Sequence, residues 1–333
     1  MAVAGERACY HSMVSFGNQV VLLGTKALQV LTVRTWHERL DQLYASGQLL
    51  GCLQLARQMV GGKATAVVGL HHRRSKRKQE LANKVQEITE KILDSWWVEQ
   101  ESAPRNYGDL LVPEMVNVCV ESRLQLLLLG RVWQVLQDDD INKGVFLESL
   151  EPHILSRAIS CLPPATSQEL LAHYETAGKL APLEQCIVHL EVTSLDLHQT
   201  ITMGWSHGLY DVIIYVYTKG MRDYVTPLEE LTTVLSSALD TTCGCSVSST
   251  HKEKAAQEST LPPAMVSLGN KLLVYISCCL AGRGYPSGDI ESELLSQVKY
   301  EVFKCLSSVH SKNAQETQKP FPYLRTLLRF SNI

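Results

Sequence analysis

The most charged stretch of the chain is a basic run, and it is the first place where residue types suggest binding. Its cations are Arg73, Arg74, Lys76, Arg77 and Lys78. Such a run can contact anionic lipid or RNA, or act as a nuclear-import patch. No aromatic residues lie among the cations to stack on bases, which argues against nucleic acid. The pattern favours the plainer interpretation, a solvated helix start, although cations there oppose the helix dipole.

Two cysteine pairs raise the question of a metal site. Zinc ligands are usually spaced as Cys-x₂₋₄-Cys, with a second pair to complete the tetrahedron. Cys243 and Cys245 are separated by one residue, and Cys278 and Cys279 by none. The second pair also lies in an apolar segment, where thiols behave as small hydrophobes. The sequence therefore predicts no metal site and no cofactor.

Three further patterns resemble catalytic or binding motifs only in part. Cys186 and His189 lie three residues apart, but a nucleophile and its base also need an orienting group and a polar cleft. The aspartates at 138–140 lack the glycine and distal glutamate of an EF-hand loop. The Gly-Gly-Lys at 61–63 lacks the spacing and hydroxyl of a P-loop. We predict no catalytic residue and a protein that is not an enzyme.

The beginning of the chain has a β pattern. Short apolar and β-branched runs between Met13 and Val33 are interrupted at Gly17 and Gly24, which predicts two or three short strands. So few strands are marginal by themselves. We interpret them as the last strands of a sheet whose remainder is not in this chain.

From Thr35 onward the pattern is helical. Thr35 and Glu38 match a capping box, and apolar residues follow at helical spacing. The segment YASGQL, in which a glycine separates two apolar helices, has counterparts around Gly130, Gly178 and Gly208. This weak repeat predicts an all-α fold, an irregular α-solenoid of helix hairpins with a short N-terminal β remnant.

Caps and helix breakers predict the individual boundaries. One long apolar helix is expected over 110–129, ended by Gly130, and another over 146–162, ended by two prolines. Capping boxes are expected at Thr166–Glu169 and Thr226–Glu229.

Composition divides the chain into four parts. Residues 1–34 form the β remnant, and 35–239 form the solenoid with the basic segment 71–78. Residues 240–263 are poor in apolar side chains and rich in Ser and Thr, which predicts a disordered insert. Residues 264–333 continue the solenoid and stop in mid-pattern, so we expect both ends to be truncated.

The chain has a net charge of −3 and a pI of about 6.4. As a whole it therefore has no electrostatic attraction to nucleic acid or anionic lipid. No apolar run approaches the roughly 18 residues of a membrane span. Ten cysteines without a secretory signal are typical of reduced thiols in the cytoplasm. The five tryptophans are expected to wedge between stacked helices, and one exposed member could anchor an interface; they are Trp36, Trp96, Trp97, Trp133 and Trp205.

Four segments carry a resemblance to a known family. They are TWHERLDQLYASGQLLGCLQLA, which directly follows the strands, FLESLEPHIL, LLAHYETAGKLAPLEQCIVHLE and HGLYDVIIYVYTKGMRDYVTPLEEL. Together they are similar to the clathrin-heavy-chain-like repeat region of endosomal tethering subunits, the propeller-plus-solenoid subunits of the CORVET and HOPS complexes. The similarity covers residues 15–330, and residues 208–231 form its longest motif.

The resemblance implies a cytoplasmic protein, peripheral on early endosomes. It implies a non-enzymatic scaffold subunit of a CORVET-like tethering complex, acting in endosome fusion and endosome-to-lysosome transport. The implied partners are other tethering subunits and, through regions missing here, a Rab-family GTPase; no nucleic acid is implied. The strands at 1–34 would then be a remnant of the family's propeller, and the family's zinc-binding RING is absent. The alternative is a peripheral membrane adaptor that binds anionic lipid through the basic segment 71–78.

Overall fold

The structure is a computed structural model, and its residue contacts divide the chain into two units, Met1–His153 and Ile154–Ile333. The residues it describes are 12–24, 26–65, 67–71, 73–102, 107–244, 261–309 and 320–331.

The first unit opens with a three-stranded antiparallel sheet in the order β1-β2-β3. The strands are β1 (Met13–Phe16), β2 (Gln19–Leu23) and β3 (Leu28–Thr32). Gly17, at a φ of +58°, takes the left-handed conformation that the tight turn between β1 and β2 requires. The predicted strands are confirmed.

Both faces of this sheet are apolar. Val14, Val21 and Val30 are direct cross-strand partners and so share one face, while Val20 and Leu31 share the other. Val14, Val30 and Leu31 are each more than half exposed. Sheets that are apolar on both faces are normally covered on both faces, so this sheet has the character of an inner layer.

The helices of the first unit follow the sheet, and α2 packs against α1, α3 and α4. They are α1 (Trp36–Ala45), α2 (Leu49–Val60), α3 (Arg74–Ser102), α4 (Tyr107–Glu121), α5 (Gln125–Leu127), α6 (Trp133–Leu136) and α7 (Asp140–Leu155), with a π turn, Leu128–Val132, joining α5 to α6.

The second unit holds the remaining helices, with α11 against α9, α10, α12 and α13, and α13 against α12, α14 and α15. They are α8 (Pro164–Thr176), α9 (Leu180–His189), α10 (Leu197–His207), α11 (Tyr210–Tyr215), α12 (Thr226–Gly244), α13 (Pro263–Ala281), α14 (Leu295–Leu306) and α15 (Pro322–Ser331). A π turn, Val216–Gly220, extends α11. The all-α hairpin fold with N-terminal strands is as predicted.

One of these helices, α13, is long and apolar enough to cross a membrane by length and composition. A third of its most apolar 18-residue window is buried inside the unit. Its inner face includes Leu272 and Tyr275, which belong to the core that α12 and α15 complete.

The glycine turns predicted between paired helices are present. Gly47, Gly178 and Gly208 have φ values of 71°, 67° and 67°. In each turn the N–H of the following residue donates to the carbonyl five residues before it: Gln48 to Leu43 (3.0 Å), Lys179 to Tyr174 (3.0 Å) and Leu209 to Gly204 (2.9 Å). This is the Schellman closure, which needs a left-handed residue after the helix. Thr35 and Glu38 also form the predicted capping box before α1.

The break predicted at Gly130 is wrong. The helix ends earlier, at Glu121, and Arg123 takes the left-handed conformation (φ 61°) that closes the turn. Leu124 N–H then donates to Cys119 O (2.8 Å), the same closure as in the glycine turns. Gly130 lies inside the π turn, with no atom within 4 Å of where its Cβ would be. Tertiary packing places the turn at an arginine in spite of its conformational cost.

The boundary predicted near the two prolines is also wrong. The helix expected over 146–162 ends at Leu155, and Pro164 begins α8 instead of ending its predecessor. Proline suits this position because the first helical N–H has no partner within the helix. The capping box predicted from Thr166 is therefore wrong, since Thr166 and Ser167 lie inside α8 and are buried.

The cap predicted at Thr226 is displaced by three residues. Asp223 Oδ1 accepts from the N–H groups of Val225 (2.9 Å) and Thr226 (3.0 Å), so Asp223 caps α12. Helix α12 continues to Gly244, past the end expected near Leu239. Residues 245–260, most of the predicted insert, lie outside the described residues.

Candidate interaction surfaces

The five predicted cations lie together on the first two turns of α3 and the residue before it. Arg73, Arg74, Lys76 and Lys78 are exposed, whereas Arg77 is partly buried and its Nη2 donates to Met59 O (3.4 Å). The cations therefore form a solvated helix start that holds a concentrated positive charge. Of the basic segment 71–78, His72 lies outside the described residues.

The sequence motifs that resembled catalytic sites have structural roles. Cys186 is buried, and the His189 ring Nδ1 bonds to Gln185 O (2.7 Å) on the same helix instead of to a thiol. Cys279 is buried in the core, where burial raises the pKa of its thiol to about 12. No group of three or more metal-binding side chains occurs among the described residues; Cys245 and the side chain of Cys243 lie outside them.

The two remaining motifs end or begin helices. Asp139 Oδ1 accepts from the N–H groups of Ile141 (3.1 Å) and Asn142 (3.3 Å), which caps the start of α7. Gly62, at a φ of +72°, ends α2, and Lys63 N–H donates to Gln58 O (2.8 Å) in another Schellman closure.

An ionic network, which we call the Lys271 network, joins three helices of the second unit. Lys271 Nζ on α13 lies 2.9 Å from Glu184 Oε1 on α9 and 2.9 Å from Asp211 Oδ2 on α11. The Asp211 N–H donates to Glu184 Oε1 (3.0 Å), and the Tyr285 hydroxyl donates to Asp211 Oδ1 (2.7 Å). The side chains of Glu184 and Asp211 are only 13% exposed, so one lysine pairs with two largely desolvated carboxylates.

The ionisation of this network follows from its contacts. Burial opposes the charged form of Lys271, but the hydrogen bonds to Asp211 and Glu184 together outweigh it and raise its pKa. Burial, reinforced by Asp211, raises the pKa of Tyr285, which stays a donor. Lys271 is therefore protonated at neutral pH and can donate to both carboxylates. Sequence reasoning missed it because Glu184 and Lys271 are 87 residues apart.

A groove of about 470 Å³, which we call the Trp205 groove, lies at the end of α10 between α12 and α15. Its lining consists of Trp205, Thr226, Glu229, Glu230, Thr233, Val234 and Tyr323. Among these described residues two are acidic and none is basic. Trp205 is half-buried, unlike Trp36, Trp96 and Trp133, which are buried in cores. The side chain of Trp97 lies outside the described residues. That an exposed tryptophan anchors an interface stays a prediction.

The comparisons with known proteins fit this helical second unit. A family model described as Vps8 central TPR matches residues 145–332, more than half of the chain. The chain belongs to the Vps8 family. The match includes both the Lys271 network and the Trp205 groove.

Curated relatives extend the similarity over the first unit. The mouse vacuolar protein sorting-associated protein 8 homolog is 38% identical over 99% of this chain, and the fruit-fly homolog is 33% identical over 99%. The budding-yeast vacuolar protein sorting-associated protein 8 is 21% identical over 56%. The chain spans 22% of the length of the mouse protein and 23% of the fly protein. No solved structure matches the chain significantly.

Proposed function

We propose that this chain is a non-enzymatic scaffold in vacuolar and endosomal protein sorting, within a CORVET-like vesicle-tethering complex. The observation that carries the proposal is the match of the Vps8 central TPR family to the second unit, supported by relatives named for vacuolar protein sorting. In this function the chain binds other tethering subunits and lies in the cytoplasm, peripheral on early endosomes. A Rab-family GTPase would bind through regions of the longer relatives.

The chemistry of the second unit suits a scaffold. Helix hairpins bury one face against their neighbours and present the other to partners. The Lys271 network joins α9, α11 and α13 through charge-assisted hydrogen bonds, which are about twice as strong as neutral ones.

The strands support a second element of the proposal, namely that residues 1–34 are part of a propeller. Their two apolar faces, and edge strands that pair with no further strand among the described residues, are what an inner blade presents before its neighbours are added. Covering them with neighbouring blades would remove that exposed apolar surface.

The scaffold proposal is tested by affinity capture of the whole chain from cytosol at moderate salt, with quantitative identification of the co-purifying proteins. An unrelated helical-repeat protein of similar size and charge serves as the control bait. Enrichment of endosomal tethering subunits over this control is the expected result. Their absence, with a chain shown by circular dichroism to be folded and helical, would contradict the proposal.

A second candidate function is binding of anionic membrane, favoured by the cations exposed together at the start of α3. We expect salt-sensitive binding to vesicles containing phosphatidylserine, because lipid headgroup attraction to exposed charges is screened by salt. Replacing Arg73, Arg74 and Lys78 by Gln should then abolish sedimentation with the vesicles.

The matched control for vesicle binding removes the same charge elsewhere in the first unit. Lys26, Arg34 and Lys63 are also exposed cations, so replacing all three by Gln changes the net charge equally. Equal loss of binding in both triple variants would mean that net charge, and not the basic segment, attracts the chain.

A further inference from the structure

The Trp205 groove combines two kinds of group that attract cations. Glu229, in the first turn of α12, and the next residue, Glu230, supply carboxylates at the groove. Trp205 and Tyr323 supply aromatic rings from α10 and α15. Carboxylates bind ammonium and guanidinium groups by charge-assisted hydrogen bonds, and aromatic faces attract the same groups through the ring quadrupole.

Glu230 is the carboxylate most accessible to a ligand. Its side chain is exposed, and it accepts a long hydrogen bond from the Tyr217 hydroxyl (3.4 Å). A carboxylate has about four lone-pair sites, so this one contact leaves Glu230 able to accept more hydrogen bonds.

The rest of the lining is suited to peptide backbone and apolar side chains. The hydroxyls of Thr226 and Thr233 donate to Asp223 Oδ2 (2.6 Å) and Glu229 O (2.9 Å), so toward a ligand their oxygens act as acceptors. Val234 provides an apolar wall. The groove volume of about 470 Å³ falls within the range of small-ligand pockets. This is room for one or two side chains and not for a whole helix.

We propose that the Trp205 groove binds a short extended segment of a partner protein, which carries a lysine or arginine next to an aliphatic residue. The cation lies between Glu230 and the Trp205 ring, and the aliphatic side chain lies against Val234. Charge complementarity selects this occupant, because a lining with two acidic and no basic side chains disfavours acidic peptides and phosphate groups. The site adds a peptide contact to the proposed scaffold function.

The test measures binding of a fluorescein-labelled peptide, Gly-Ser-Leu-Lys-Arg-Leu-Ser-Gly, to the whole chain by fluorescence anisotropy. A second peptide with Gln in place of both cations is the ligand control. The Trp205 indole N–H, assigned by its loss in Trp205→Phe, reports the location of binding in ¹H–¹⁵N spectra. No tethering subunit is present, so the scaffold function and this site can fail independently.

The expected result is saturable binding of the basic peptide, a shift of the Trp205 signal, and about tenfold weaker binding by Glu229→Gln/Glu230→Gln. Each of the two partly exposed carboxylates is expected to contribute a factor of about three to the affinity for the basic peptide. The matched protein control is Glu293→Gln/Glu301→Gln, which removes two carboxylates of the same unit outside the groove and should bind as the unmodified chain does.

Three outcomes would overturn the proposal. They are equal binding of the basic and the neutral peptide, an unshifted Trp205 signal at saturation, and equal weakening by the two double variants. Thermal melts of both double variants establish that each is folded; if the groove variant does not fold, Trp205→Phe provides the test. This variant keeps an aromatic ring, but a Phe ring attracts cations less than a Trp ring does, so the basic peptide should bind about threefold more weakly.

Discussion

Replacing Lys271 by Met isolates the contribution of the Lys271 network, because Met keeps most of the apolar volume and removes the charge. Glu184 and Asp211 then face each other without a cation, and their side chains are only 13% exposed. Removing one partner of a fully buried ion pair costs about 3–5 kcal/mol. Since Lys271 is itself 23% exposed and water can reach part of the site, we expect about 2–3 kcal/mol.

The loss should be visible as a lower melting temperature of the whole chain by circular dichroism. For domains of this size 1 kcal/mol corresponds to about 2–4 °C, so a decrease of about 5–10 °C is expected. Lys299→Met is the matched control, since Lys299 lies on the neighbouring α14 and is in none of the ion pairs among the described residues. A decrease no larger than that of the control would refute the assigned role.

A triple variant separates the cost of leaving two carboxylates unpaired from the cost of changing the side-chain packing. Glu184→Gln keeps an oxygen to accept the Asp211 backbone N–H, and Asp211→Asn keeps one for the Tyr285 hydroxyl. Combined with Lys271→Met, these changes remove all three charges together, which is often nearly neutral. We therefore expect the triple variant to melt well above the single variant.

The pH dependence of the network has a definite sign. The pKa of Lys271 is raised in the folded chain, so its stabilisation is fully present below the unfolded value of about 10.4 and is lost as pH rises through the folded value. The melting difference between the unmodified chain and Lys271→Met should therefore be constant from about pH 7 to 9 and shrink only above the unfolded value of about 10.4.

Gly269→Ala should destabilise the second unit by about 1–2 kcal/mol in urea titrations. The added Cβ would lie 2.3 Å from the Phe330 ring, and this overpacking outweighs the gain in helix propensity. An unchanged free energy of unfolding would show that α15 shifts freely. Arg123→Gly should raise the free energy of unfolding by about 1 kcal/mol in the same assay, because glycine takes the left-handed conformation at lower cost. A lower free energy of unfolding would mean that contacts of the arginine side chain stabilise the turn. With a thiol reagent at pH 8, exposed Cys161 should react in the native chain, whereas Cys119 should react only after denaturation, because burial raises the pKa of the Cys119 thiol to about 12. Mass spectrometry of native and denatured samples measures the labelling of each cysteine. Equal labelling of both in the native chain would contradict the buried position of Cys119.

Local patterns predicted the strands, most helices and the glycine turns, because those features depend on residues close in sequence. Gly47, Gly178 and Gly208 mark left-handed positions that glycine takes at little cost. At Arg123 and Arg157 the chain takes the same conformation without glycine. Packing of the flanking helices decides those turns, so a search for glycine cannot find them.

The interaction surfaces depend on distant residues and were mostly beyond sequence reasoning. Glu184 and Lys271 come together only when three hairpins stack, and neither has a local pattern that marks it. The sequence marks Trp205 only as one of five tryptophans, of which an exposed member could anchor an interface, and its place at a groove depends on α12 and α15. The basic segment was visible because its charges are consecutive, and the structure places them at a helix start as the plainer interpretation expected.

The position of Lys271 within α13 also bears on how the newly made chain is sorted between water and bilayer. The 19 residues Pro263–Ala281 contain no other charge and are apolar enough to cross a membrane. A lysine near the middle of such a segment raises the cost of insertion by about 2.5–3.5 kcal/mol. The residue that pairs with two carboxylates in the folded unit thus also disfavours insertion of this segment into a bilayer before the unit has formed.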